Sequence, residues 1–154
     1  MNIKKLGIII LTKTICIFLL FRYVFGIMIV KDVNMVPTIK AGSLIIYYRL
    51  ENNYKRGDVI IKDNNIYRVS ATPYEIIDID NGRVSVNYYK EDDYFLNTYK
   101  NEESNIIYPY ALGRDEYFLL NDNRYDYNDS RSFGSVKKNK MKGVVITKLQ
   151  VRDF

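Results

Sequence analysis

The 154-residue sequence predicts a mostly β domain, a coiled sheet or barrel with long loops, behind a single N-terminal transmembrane helix. Three observations predict it. Residues 6–27 are almost continuously apolar. After Val30 the chain breaks into short β-branched and aromatic runs separated by turn residues. No long helical period recurs beyond the first segment.

The apolar stretch has the roughly 20 residues that a spanning helix needs. Lys13 and Arg22 interrupt it, and each cation costs about 2.5–3.5 kcal/mol at mid-membrane. Arg22 lies near the outer end and can snorkel. Lys13 is deeper: its stem reaches back toward the cytoplasmic face, or it meets a partner helix within the bilayer. Lys4 and Lys5 place the N-terminus on the cytoplasmic side. The expected division is a cytoplasmic tail over residues 1–5, an anchor over 6–26 and an extracellular domain over 27–154, single-pass in the cell membrane. A cleaved signal peptide would carry small residues before the cut, where this chain has Arg22, Tyr23 and Phe25, so an uncleaved anchor is expected. The helix should end near Phe25-Gly26, because Ile27-Met28-Ile29-Val30 favours a strand.

Strands are then predicted over residues 43–50, 59–62, 66–69, 75–79, 83–89, 117–120 and 143–151. Asp63-Asn64-Asn65 and Asp80-Asn81-Gly82 mark hairpin turns. Residues 91–108 are polar, acidic and aromatic without a clean period, which reads as a long surface loop. The pairs Tyr47-Tyr48 and Tyr88-Tyr89 read as strand faces.

Composition removes several functions. The net charge is +5, but the four basic residues before Val30 leave 19 basic against 18 acidic groups in the rest, too balanced for a nucleic-acid surface. Lys137-Lys138-Asn139-Lys140 reads as a solvated turn. Histidine is absent, which excludes His-based triads and His metal sites. The single cysteine, Cys16, lies in the apolar segment, where a thiolate nucleophile is disfavoured. No cofactor and no metal are expected.

Two blocks carry chemistry. Asn34-Met35-Val36-Pro37-Thr38 follows the anchor, and Asn121-Asp122-Asn123-Arg124 precedes Asp129-Ser130-Arg131-Ser132-Phe133-Gly134. The first resembles the Ser-Met-x-Pro-Thr nucleophile box of type I signal peptidases. The second resembles that family's Gly-Asp-Asn-Arg and Asp-Ser-Arg-x-Phe-Gly box. The likeness follows the family's order from the anchor to the last strand. Residues 21–50 also resemble the signal-peptidase-like proteins coded with pili in Gram-positive bacteria (the SipA type).

The resemblance implies a serine–lysine dyad in which a buried neutral lysine takes the serine's proton. In this sequence the serine position is Asn34, the lysine position is Tyr67 and the position of the serine that orients the lysine is Tyr127. Asp32 stands two before the nucleophile position, where an anion opposes a developing oxyanion. A carboxamide is a poor nucleophile, and a phenol with a pKa of about 10 is no ready base. A slipped register does not restore the dyad: Ser70 falls on the far side of the Tyr67 strand, and so does Lys62 if the strand runs on unbroken. These substitutions imply a pseudoenzyme, with Asp32, Asn34, Met35, Tyr67 and Tyr127 shaping a groove that the two tyrosines fill. Met35 lines that groove or belongs to the core. Arg68, Asp122, Asp129 and Arg131 are expected to form a structural ion-pair network. The implied role is assembly of sortase-dependent pili, with pilin subunits or a pilin-polymerising sortase as partners. The alternatives are an active signal peptidase with an atypical centre and a peptide-binding regulator unrelated to pili.

Overall fold

The computed structural model describes residues 3–91 and 97–150. Helix α1 (Ile3–Leu19) continues through one π-helical turn, Leu20–Val24. Together they make 22 residues of apolar helix, about 33 Å at 1.5 Å per residue, and α1 buries none of its side chains. Thr12 and Thr14 donate their hydroxyls to the carbonyls of Ile9 and Ile10, so neither leaves a polar group bare. A helix that is apolar all round and packs on nothing needs an apolar solvent.

Strand β1 (Phe25–Ile29) begins on the residue after the helix. It pairs antiparallel with β2 (Leu44–Tyr48). The hairpin of β3 (Val59–Lys62) and β4 (Asn65–Ala71) turns on Asp63 and Asn64, both at positive φ, the two-residue turn that suits the twist of antiparallel strands. β5 (Ile76–Asp80) and β6 (Arg83–Val86) turn the same way at Asn81 and Gly82. β7 (Tyr89–Lys90), β8 (Tyr110–Ala111), β9 (Glu116–Leu120), β10 (Val136–Lys137) and β11 (Met141–Leu149) complete the set. A four-residue helix α2 (Ser130–Phe133) precedes β10.

Seven strands form one sheet in the order β1-β2-β11-β3-β4-β9-β10, and four form a second in the order β7-β6-β5-β8. Three register shifts, two in β11 and one in β4, bend the large sheet. Gly143 lies at one of them, with φ 149°, and a Cβ there would stand 2.1 Å from the Tyr48 carbonyl oxygen. Only glycine lets β11 pass β2 so closely.

Side-chain alternation splits the core. Ile61 and Ile66 join Val30, Met35, Ile39, Ile45 and Tyr47 on one face of the large sheet. Ile60, Tyr67 and Val69 join Tyr54, Tyr117 and Leu119 on the other. Phe118 and Leu120 pack with Ile77, Ile79 and Val84 of the smaller sheet.

The fold is the expected mostly β domain behind one apolar helix, with differences of detail. The predicted strand over 83–89 stops at Val86, because Asn87 and Tyr88 take positive φ and reverse the chain. Tyr88 therefore sits exposed at the turn, and Tyr89, also exposed, opens β7. Within the expected loop over 91–108, residues 92–96 lie outside the described residues, as does Val151 at the end of the last expected strand. The short elements β8, α2 and β10 had no periodicity to announce them.

Candidate functional site: a groove beside a hydrogen-bonded clamp

Residues 31–42 leave β1 and return to β2 through a neck in which Val30 N–H donates to the Ser43 carbonyl and Gly42 N–H to that of Val30. Inside the loop Ile39 N–H donates to the Met35 carbonyl. Met35 and Ile39 are thereby turned into the core, and Met35 is fully buried. Met35 is a core residue, not a groove residue.

Asn34 is 5% exposed. Its Nδ2 donates to the Ile66 carbonyl at 2.6 Å and to Asn121 Oδ1 at 3.3 Å, and its own carbonyl accepts from Asn123 N–H at 2.9 Å. The side chain therefore clamps the loop to β4 and to the turn after β9. Asn121 extends the clamp: its N–H donates to Asp129 Oδ2 and its Nδ2 to the Asp126 carbonyl.

Two ion pairs hold this frame. Arg68 forks onto Asp122 at 2.7 and 2.6 Å and reaches the Gly57 carbonyl at 2.7 Å. Arg131 forks onto Asp129 through Nε and Nη2 and also donates to the carbonyls of Arg124 and Asp126. Asp129 caps α2 by accepting from Arg131 N–H. Both members of the second pair are completely buried, and this number of partners is what offsets the desolvation of two charges. A third pair, Glu91 with Arg124 at 3.3 Å, escaped the sequence reading because 33 residues separate its members. Burial pushes the Glu91 carboxyl above its usual range despite the nearby Arg124 charge.

Tyr67 follows Ile66 and leaves the sheet on the opposite face. It is 3% exposed and meets the Phe133 ring edge-on at 6.0 Å. Burial raises its phenol above the usual range, opposed by a hydrogen bond with Asn65 and by the charge of Lys62. No hydrogen bond joins Tyr67 to Asn34 among the described residues. Tyr127 is partly exposed and lays its ring on the Arg131 guanidinium at 4.3 Å. The expectation for Lys62 is corrected as well. The turn at Asp63-Asn64 sets Lys62 opposite Asn65 and Ile60 opposite Tyr67, so Lys62 shares the Tyr67 face, with its Nζ 4.7 Å from the Phe133 ring centroid. The two-residue turn in the sequence carried that information. Ser70 is buried.

A groove of about 670 Å³ opens next to the clamp. It runs from β1 and the following Lys31 and Asp32, over Leu44 and Tyr47, to Ile61, Asn64 and Asn65 of the β3–β4 hairpin. Two strands separate β1 from that hairpin in the sheet order, so the sheet curls until they face each other across the groove. Neither Tyr67 nor Tyr127 lines it, and the expected filling by tyrosines does not occur. Of the residues assigned to the groove from sequence, Asp32 lines it and Asn34 does not. Tyr47 lies against Gly26, where a Cβ would fall 2.1 Å from the ring. Val30 uses its amide and carbonyl toward β2, so alternation turns those of Ile27 and Ile29 to the free edge of β1. Their side chains are more than half exposed.

The family described as "Signal peptidase, peptidase S26" matches residues 3–149, which takes in the helix, the clamp and the groove. The chain belongs to the signal peptidase S26 family. It is 30% identical to a Signal peptidase I of Bacillus caldolyticus over 85% of this chain and 83% of that one. It is 26% identical to Signal peptidase I P of Bacillus subtilis subsp. natto, over 88% and 82%. It is 25% identical to Signal peptidase IB of Staphylococcus aureus, over 85% and 81%. A crystal structure of a signal peptidase I from Enterococcus faecalis V583 shares the fold, with a TM-score of 0.50 at 23% identity, covering 60% of this chain and 97% of that chain. These matches correct the inference of a pseudoenzyme. The relatives that match across most of the chain bear the name of an enzyme, signal peptidase I. Together with the unpacked apolar helix, the family assignment points to membrane anchoring.

Proposed function

We propose that this signal peptidase family member takes an extended segment of an exported protein into the groove between β1 and the β3–β4 hairpin. The observation that carries this is the free edge of β1, which offers the amides and carbonyls of Ile27 and Ile29 beside an open apolar groove. Such an edge binds an added strand through its main chain, and pockets beside it select alternate side chains. β1 starts on the residue after the anchor helix, so the bound segment is one that leaves the bilayer close by. Lys4 and Lys5 set the N-terminus in the cytoplasm and the β domain outside. The finer part of the proposal names the client as a pilin subunit or the sortase that polymerises pilins. The likeness of residues 21–50 to the pilus-coded members supports it.

The test uses full-length protein in detergent with a signal-bearing precursor. Wild type retains the precursor, and Ile27→Asp with Ile29→Asp lowers retention at least tenfold at unchanged circular dichroism. Equal retention by the folded variant would remove the groove from the account. A second arm reads cleavage on the same precursor. Wild type is expected to release mature product, and release that persists in the folded Ile27→Asp, Ile29→Asp variant would show that cleavage does not use the groove. For the pilus assignment, the two aspartate substitutions are placed in a piliated host. Shortened polymers are expected, and full-length polymers would reject that client while leaving the groove intact.

A further inference from the structure

A cavity of about 290 Å³ lies where β4 of the large sheet meets β6 and β7 of the smaller one. It has no lining residue in common with the groove. Val69, Val86 and Tyr89 form an apolar wall, and Arg56, Arg68 and Lys90 bring cations to it. Ser70 lines it as well. This is the residue that the register shift in β4 leaves over: Val69 pairs with Leu119 and Ala71 with Phe118. A bulge re-aims the side chain that it carries. Ser70 is 4% exposed, and its hydroxyl has no hydrogen-bond partner among the described residues. A buried hydroxyl left unpaired costs free energy that a ligand with an acceptor atom would recover.

The charges around the cavity do not cancel. Arg56 forks onto Glu75, Arg68 forks onto Asp122, and Arg124 holds Glu91, the carboxylate in the lining. Lys90 has no ion-pair partner among the described residues, so this set of four cations and three carboxylates keeps one positive charge over. One surplus charge suits a monovalent anion, whereas a phosphate dianion would stay partly uncompensated beside an apolar wall.

We propose that this cavity is a carboxylate-binding site, separate from the groove, and that its ligand is an aliphatic carboxylate. The Ser70 hydroxyl donates to the carboxylate, Lys90 balances its charge, and Val69, Val86 and Tyr89 cover the hydrocarbon next to it. That chemistry has two sources: the C-terminus of a peptide that ends in an aliphatic residue, and a free short-chain organic acid. The site is independent of what enters the groove.

The experiment titrates the full-length chain in a non-ionic detergent and reads binding by calorimetry. The probes are N-acetyl-leucine, its carboxamide, isovalerate and inorganic phosphate. Saturable binding of a carboxylate is expected, and none of the carboxamide. Ser70→Ala should weaken the carboxylate by about tenfold, the worth of a hydrogen bond to a charged group. Lys90→Gln should weaken it by about threefold, the worth of an exposed charge pair. The Ser70 hydroxyl has no partner in the fold, so Ser70→Ala should leave the ligand-free thermal midpoint unchanged or higher. That result separates lost binding from lost structure, and the exposed Lys90 gives a second variant should Ser70→Ala not fold. Tighter binding of N-acetyl-leucine than of isovalerate would identify a peptide C-terminus, and the reverse order a free acid. Absent saturation, equal binding of the carboxamide, tighter binding of phosphate, or an affinity that both variants leave unchanged would each overturn the site. Binding that disappears in the Ile27→Asp, Ile29→Asp variant would also overturn it, by moving the carboxylate into the groove. The groove reading survives any of the other failures.

Discussion

Residues 27–32 and 34–39 are neighbours in one passage of chain and stand in opposite states. The first stretch presents Ile27 and Ile29 to solvent along an unpaired sheet edge. The second turns inward, with Asn34, Met35 and Ile39 all buried. The difference shows that the buried clamp and the open groove are built by different forces. The clamp is held by hydrogen bonds to atoms that burial would otherwise leave unsatisfied. The groove survives as apolar surface that packing elsewhere has not consumed. Substitutions in the clamp should therefore be read in stability, and substitutions in the groove in binding.

The sharpest way to break that contrast is Arg131→Ala. It leaves Asp129 charged, buried and without its fork, at a cost of about 3–5 kcal/mol. Urea unfolding of the folded domain should show most of its stability gone, and a loss below about 1 kcal/mol would mean that the clamp is not held by this pair. Asn34→Ala comes next. It strips the donor from the buried Ile66 carbonyl and is expected to cost about 1–3 kcal/mol by the same measurement. Gly26→Ala drives a methyl into the Tyr47 ring, for which overpacking predicts about 1–3 kcal/mol. Because Tyr47 lines the groove, precursor retention should fall in the same variant, the one case in which both readouts move.

A pH test is gentler. Burial works to raise the Glu75 carboxyl, but the Arg56 side chain and Thr72 hydrogen-bond to its charged form and hold it below the usual range. The folded pKa is thus the lower one. The stability it confers is present above the unfolded value of about 4.3 and is lost as pH falls through the folded value. Glu75→Gln should flatten the acid side of a midpoint-versus-pH curve, and an unchanged slope would show that the pair is screened away. Ile29→Ser is the smallest in stability, within about 0.5 kcal/mol, and should still weaken precursor retention. A larger loss of stability would mean that β1 is core and not a binding edge.

Much of this was legible in the chain. The anchor follows from an apolar run longer than any core helix needs. The hairpins follow from Asp63-Asn64 and Asn81-Gly82, where residues that tolerate positive φ stand between β-branched runs. The pairing of Arg68 with Asp122 was readable only through the family boxes, because 54 residues intervene and no local period links them. Lys62 was misplaced because counting along one strand ignores the turn that folds it back. Tyr67 and Tyr127 were sent into the groove by their position in the motif, whereas side-chain direction is set by strand parity and by the Phe133 and Arg131 partners that the fold brings to them.

The sequence by itself determined the order of elements and the chemistry available: one apolar span, antiparallel strands between tight turns, no histidine, and the two motif blocks over 34–38 and 121–134. Those are properties of composition and local pattern, which the chain carries before it folds. Only the tertiary structure decided that Asn34 is a clamp, that Met35 is core, and that the open groove runs between β1 and a hairpin two strands removed in the sheet. The reason is the curl of the large sheet. Bulges in β11 and β4 bring distant strands face to face, and hydrogen bonds and apolar contacts formed across that bend have no counterpart in any stretch of sequence.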